Sequence, residues 1–394
     1  MCLTPVSIRF SYNLPNPVVM HDRFMGVMRI DELCDMVLDR FTPASIAAFR
    51  KVNRDFRSRV LEYLRSRHRI NRALSTFFEY PLSFRRVLYE CSALLSGKFA
   101  LSFIGRLRWD VRQLDIYVPR YRVDRLTMFL RGSGYQYSPF PGQRPNLLNE
   151  LVRDWHPIQF DNKSGRPFLC PTERSRGVNA IFRMIKRLDN GRRLTILIIE
   201  SVDAAMRPIL NMDCTIGMNI LSHDRAYCAY PIGTFEAKAG LVMPQSEVID
   251  GKGLRELWRH GWRLFDSASP FVEACFPDVS RWLDDKYSYT FDLCTPPNER
   301  SLFQLPIRGT WRRLPDPLQV TNWRLRYSSS GLGFMCFSAV VSRSLANFYI
   351  IHDESLVRGM RRLFRAVLRD TWYTNHDEVL RDAPSFDTTS IWSL

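Results

Sequence analysis

The chain has 394 residues, 45% apolar and 13% aromatic, enough for two or three domains with a real core, which excludes a wholly disordered protein. Net charge is +16 at pH 7, a balance that favours anionic partners such as nucleic acid, nucleotides or acidic protein surfaces. Of the 56 basic residues seven are Lys and 49 are Arg, a skew that suits phosphate forks and aromatic stacking but also arises from genome base composition.

The most apolar run, Leu194 to Ile199, is far short of the roughly 18 residues a membrane-spanning helix needs. The first residues show no charged leader followed by an apolar stretch. An intracellular protein, cytoplasmic or nuclear and without membrane contact, is expected. The nine cysteines (Cys2, Cys34, Cys91, Cys170, Cys214, Cys228, Cys275, Cys294, Cys336) stand singly, without the close pairs of a zinc site, and are expected to be reduced, buried thiols.

In chain order, residues 1–27 read as an irregular lead-in with Pro5, Pro15 and Pro17. Residues 28–91 form a helical segment. Leu33, Val37 and Phe41 share one face of a helix over 31–41, and Thr42–Pro43 supply an N-cap and first-turn proline. One helix is then expected to carry the stripe Ile46, Phe49, Val52, Phe56, Val60 and Leu64, followed by an apolar patch at Leu74, Phe77, Phe78, Phe84 and Leu88. From residue 92 to 250 strand character alternates with helix. SALLSG and QLDIYV suit buried strands, with FALSFIGRL as a short helix or turn between them. A helix over 123–130 stops at Gly132–Ser133–Gly134. Residues 138–177 look like a loop or insertion, and strands return at LTILIIES and GMNILS with DAAMRPIL between them. Residues 251–394 are expected to form a C-terminal α+β part. It opens with an amphipathic helix over GLRELWRHGWRLF, continues through the hard-to-assign 276–340, and ends in a helix within 354–372.

The chemistry concentrates in Leu94–Pro119, LLSGKFALSFIGRLRWDVRQLDIYVP. Residues i and i+2 of a strand share a face, so Asp-x-Asp on one strand beside a glycine loop can hold two Mg²⁺ ions and let backbone N–H groups approach phosphates. This segment resembles the signature of the nucleotidyltransferase fold, the superfamily that includes DNA polymerase beta. The order of motifs is also similar to a group of fungal proteins that place an F-box-like helical segment before a nucleotidyltransferase-like domain. The matching residues are Ser96–Gly97, Ala100–Leu101, Leu114–Asp115–Ile116–Tyr117–Val118–Pro119 and Gly134–Tyr135, with LTILIIES, CTIGMN and AYPIGTF downstream. The resemblance covers roughly residues 30–265. It implies an α/β (α+β) fold with a nucleotidyltransferase-like mixed sheet and flanking helices, phosphate contacts at Ser96, Gly97 and Lys98, and acidic residues at Asp115 and at Glu200 or Asp213.

Two positions depart from that pattern. Gln113 stands in place of the first aspartate, and Lys98 in place of a small residue after Gly97. Two divalent ions about 4 Å apart repel by roughly 17 kcal/mol at an effective dielectric near 20. Acidic ligands must offset this, and a neutral amide removes a full charge. Lys98 has two readings, a positive charge for a bound phosphate or a solvent-facing loop lysine. The sequence is not a P-loop, because the upstream glycine is absent and Phe99 replaces the Mg²⁺-binding hydroxyl.

Elsewhere, 31–64 resembles an F-box, the helical module that docks on the adaptor of a cullin ubiquitin ligase, with Leu33 and Val37 as partner-binding candidates and Ile30–Asp31 replacing the usual Leu-Pro. The cluster Arg65, Arg67, His68, Arg69 and Arg72, with Phe77, Phe78 and Tyr80 beyond it, is expected to be a solvated helix face rather than a nucleic-acid surface. Isolated histidines argue against a histidine metal centre, and the absence of G-x-S-x-G against Ser-His-Asp catalysis. Trp258, Trp262, Trp311 and Trp323 are read as core. The preferred function is a catalytically degenerate nucleotidyltransferase-like protein acting as a binding or scaffold module, with no cofactor and no confident metal or catalytic residue. The alternatives are an F-box substrate receptor and an active transferase using Mg²⁺ and NTP. A protein partner is expected through the N-terminal helices, with nucleotide or nucleic acid the weaker expectation.

Overall fold

A helical turn at 24–28 opens the described chain, earlier than the lead-in to residue 27 allowed for. The computed structural model describes residues 24–119, 122–152, 158–160, 167–169, 177–243, 251–293, 304–307, 310–313, 316, 318, 320–340, 348–359 and 362. The chain forms two compact units that divide between Tyr63 and Leu64, within the span expected to be one helical segment to residue 91.

The first unit is helical. α1 (Asp31–Arg40) buries Cys34 and Leu38. Thr42 caps α2 (Pro43–Phe49), its Oγ1 accepting from the Ser45 amide at 3.1 Å. The single long helix expected next is broken. α3 (Arg54–Arg67) starts afresh because the Asn53 side chain accepts the Phe56 amide at 2.8 Å, a local bond that competes with helix continuation. Val52 sits in the break and is 64% exposed, while Phe49 and Phe56 stack at 4.2 Å.

The second unit continues with α4 (Ile70–Leu74) and α5 (Pro81–Glu90), whose Phe84 and Leu88 are buried. Here β1 (Leu94–Ser96), α6 (Gly97–Gly105), β2 (Gln113–Pro119) and α7 (Val123–Gly132) follow in the expected order. Next come β3 (Gln136–Tyr137), α8 (Leu147–Leu151), the hairpin of β4 (Ile158–Phe160) with β5 (Pro167–Leu169), and β6 (Val178–Arg187). Much of the expected insertion 138–177 lies outside the described residues. β7 (Arg193–Ser201), α9 (Met206–Leu210), β8 (Asn219–Leu221), β9 (Arg225–Cys228) and β10 (Ala239–Leu241) complete the central run.

The fold is α/β, with an eight-stranded mixed sheet that begins with β13 (Tyr289–Asp292) and runs in the order β13-β9-β8-β1-β2-β7-β6-β3. β2 and β7 are parallel, and every other neighbouring pair is antiparallel. β13 comes from the expected C-terminal part, so the sheet crosses the boundary placed at residue 250. Small sheets follow: β14 (Gln304–Ile307) pairs with β15 (Thr310–Arg313), and β16 (Asn322–Tyr327) lies between β12 (Ser280–Trp282) and β17 (Gly333–Cys336).

The amphipathic run after 250 is shorter than its pattern. α10 (Gly251–Arg259) stops just before Gly261, which takes φ +90°, and β11 (Arg263–Phe265) then pairs with β10. A left-handed turn needing glycine thus cuts a helix that apolar spacing alone would extend. Of the final expected helix, 354–359 is helical and most of the remainder lies outside the described residues. No helix among the described residues is long and apolar enough to cross a membrane. Cys34, Cys91, Cys214, Cys228 and Cys275 are buried free thiols.

Trp323, Tyr230, Phe276, Ile209 and Leu210 share one buried cluster in which the Trp323 indole donates to the Tyr230 hydroxyl at 3.0 Å. Trp262 is buried too, but Trp258 is 68% exposed on α10, contrary to its reading as core, and the side chain of Trp311 lies outside the described residues. His68 also departs from expectation. It is buried against Phe103 and Phe291, and desolvation holds its pKa down to about 3, so it is a neutral core residue rather than part of a cationic face. Trp323→Ala should cost about 3–5 kcal/mol in chemical denaturation, whereas Trp258→Ala should stay within about 0.5 kcal/mol.

Candidate functional site

The site begins where β1 ends. Ser96 pairs in register with Asp115 of β2, and Gly97 then turns the chain into α6 with φ +71°. A side chain at 97 would collide with the Asp115 carboxylate, so the turn requires glycine for both its backbone angle and its space. Asp115 is half-buried at this turn and accepts a hydrogen bond from the Gln113 amide at 2.7 Å. Desolvation pushes its pKa up to about 6, against the opposing pull of Gln113.

Strand register decides which groups join it. Gln113, Asp115 and Tyr117 share one face of β2, and their partners on β7 are Thr195, Leu197 and Ile199. Glu200 pairs with Val118 and therefore points to the opposite face, where it accepts from Asn179 at 2.5 Å. Asp213 is nearer in effect. Burial, then the charges of Asp115 and Asp213, hold the Tyr117 phenol well above its ordinary pKa. Asp213 does not line the cleft above Asp115.

The phosphate-binding candidates divide as well. Ser96 is fully buried, and its hydroxyl lies 2.8 Å from both the Gly217 and Asn219 carbonyls, so it ties β1 to the turn before β8 and does not face a ligand. Gly97 lies against the Asp115 carboxylate but does not itself line the cleft. Lys98 reaches the cleft, where it is ion-paired with Glu256 of α10 and lies over the Trp109 ring, 5.4 Å from its centroid. It is therefore not a bare loop lysine.

The cleft has a volume of about 970 Å³. Its walls include residues that sequence reasoning did not single out, Arg112, Arg192, Arg193, Asn190 and Glu256. Arg112 pairs with Asp110, whose carboxyl is held below its usual range first by that hydrogen bond and then by charges that include Arg192 and Lys98. Arg192 and Arg193 leave the β6–β7 hairpin turn, closed by the Gly191 amide on the Leu188 carbonyl at 2.9 Å. Asn190–Gly191 between two apolar runs was the available signal for that hairpin. The alternation Ala180, Phe182, Met184 likewise marked β6, which no expectation covered.

In the first unit, Leu33 is exposed and Val37 half-buried on α1. Met36 on α1 is exposed as well, as are Val27 in the preceding helical turn and Ile30 in the extended residue before α1.

On the strand face of Asp115 lie Gln113, Tyr117, Thr195 and Leu197, none of them an acid, and among the described residues no three His, Cys, Asp or Glu side chains form a metal-holding group. Comparison with protein-family models, curated proteins and solved structures finds no match for this chain.

The raised pKa of Asp115 sets a pH dependence. The unfolded carboxyl ionises near pH 4 and the folded one at about 6, so folding disfavours the ionised form. This penalty is absent below pH 4, grows between pH 4 and 6, and is full above 6. Asp115→Asn should therefore stabilise the fold by about 1 kcal/mol more at pH 7.5 than at pH 4, after allowance for solvent screening, as read from denaturation midpoints at the two pH values.

Proposed function

We propose that this chain is a nucleotidyltransferase-like protein that has lost metal-dependent transfer and works as a binding or scaffold module, with the cleft over Asp115 as its ligand site. The observation that carries this is the set of neutral partners around Asp115. Gln113 precedes it on the same strand face, and Thr195 and Leu197 occupy the adjoining positions of β7. A lone carboxylate brings one negative charge where a divalent pair needs several converging acids. The order of strand, glycine turn, helix and acidic strand supports the kinship, and the departure at Gln113 supports the loss of chemistry.

A direct test is incubation with Mg²⁺ or Mn²⁺, each labelled NTP, and RNA or protein acceptors. Label transfer should not exceed that of Asp115→Ala. Transfer that depends on Asp115 would restore the active-enzyme alternative, with a second acid supplied from elsewhere.

Leu33 and Met36, exposed on α1, favour a second role for the first unit, adaptor docking of the F-box kind. Co-expression with a cullin-ligase adaptor should yield a complex that Leu33→Asp with Val37→Asp abolishes. An adaptor that does not co-purify with the intact chain removes this reading.

A further inference from the structure

The cleft walls carry four cations, Lys98, Arg112, Arg192 and Arg193, and three acids, Asp110, Asp115 and Glu256. Two of the acids are already engaged, Asp110 by Arg112 and Glu256 by Lys98. Arg192 and Arg193 make no ion pair among the described residues. The hairpin also sets Arg193 directly opposite Arg187, and like charges facing each other across a strand pair destabilise it. A cavity wall that keeps this repulsion is suited to an anion, whose charge would relieve it.

Strand register gives the placement. Arg193 stands two residues before Thr195 on β7, on the face that also carries Asp115, while Lys98 follows Gly97 on the other side of that carboxylate. Positive charge thus approaches the cleft floor from the α6 turn, from the residue before β2 and from the β6–β7 turn. Guanidinium forks and an ammonium are the donors that bind phosphate oxygens.

We propose that the cleft binds the polyphosphate group of a small molecule without a divalent ion, Lys98, Arg112, Arg192 and Arg193 supplying the positive charge, and that Glu256 occupies Lys98 until the ligand displaces it. The proposal rests on the degenerate-transferase reading and adds to it the ligand class and an internal competitor. Glu256 on α10 and the ligand compete for one ammonium, so a change that removes the carboxylate charge strengthens binding. The Trp109 ring under Lys98 keeps the ammonium near the cleft when the carboxylate lets go.

The test is calorimetry of the full chain with pyrophosphate, ATP, and a short single-stranded oligonucleotide lacking terminal phosphates, each in EDTA and in Mg²⁺. Pyrophosphate and ATP should bind in EDTA. Glu256→Gln should tighten both by about three- to tenfold, the effect of one nearby charge at an intermediate dielectric. Arg192→Ala combined with Arg193→Ala should weaken both by about tenfold or more. The gain expected from Glu256→Gln cannot be mimicked by misfolding, and a thermal melt checks the arginine variant.

No binding of pyrophosphate or ATP, binding only of the oligonucleotide, or unchanged affinity in Glu256→Gln overturns the proposal while leaving the degenerate reading in place. Binding that requires Mg²⁺ and is accompanied by Asp115-dependent label transfer overturns both.

Discussion

The close approach of Gly97 to the Asp115 carboxylate is the constraint around which the second unit's cleft is arranged. Because the turn carries no side chain, the end of β1 and the start of α6 can lie directly against β2. That contact withdraws Asp115 from water and sends the next residue, Lys98, into the cleft. The adjoining Ser96 hydroxyl is buried against the turn before β8, so the strand on one side of the site and the turn on the other are held by backbone-directed bonds.

Around this site the charge is mixed but more positive than negative: Lys98, Arg112, Arg192 and Arg193 line the cleft with Asp110 and Glu256, and burial raises the pKa of Asp115 to about 6. The arginine bias of the whole chain has a local expression at the β6–β7 turn. Guanidinium groups stay charged at every accessible pH, so the cleft keeps its positive walls while Asp115 titrates.

The sheet joins parts of the chain that composition separates. β13 adds to β9 from beyond the stretch expected to close the central domain, and Trp323 of β16 packs beside Tyr230. Arg281 is fully buried at this junction, bonded to Asp285 and to the Ala229 carbonyl and flanked by the Tyr230 and Trp323 rings. A buried guanidinium is tolerated there because its charge is matched by a carboxylate and its faces lie on aromatic rings. The C-terminal region therefore supports the same core as the cleft.

Local sequence determined a good deal of this protein. Thr42–Pro43 marked a helix start and QLDIYV a buried strand, because capping and alternation act over a few residues. Where it misled, a local bond or a turn outweighed apolar spacing, as at Asn53 and Gly261, or solvent exposure depended on distant packing, as for His68 and Trp258. Tertiary structure alone decided that Glu200 faces away from Asp115, that Glu256 reaches Lys98, and that Arg192 and Arg193 stand over the same floor. Strand register and helix placement join residues far apart in the chain, and no short-range pattern carries that information.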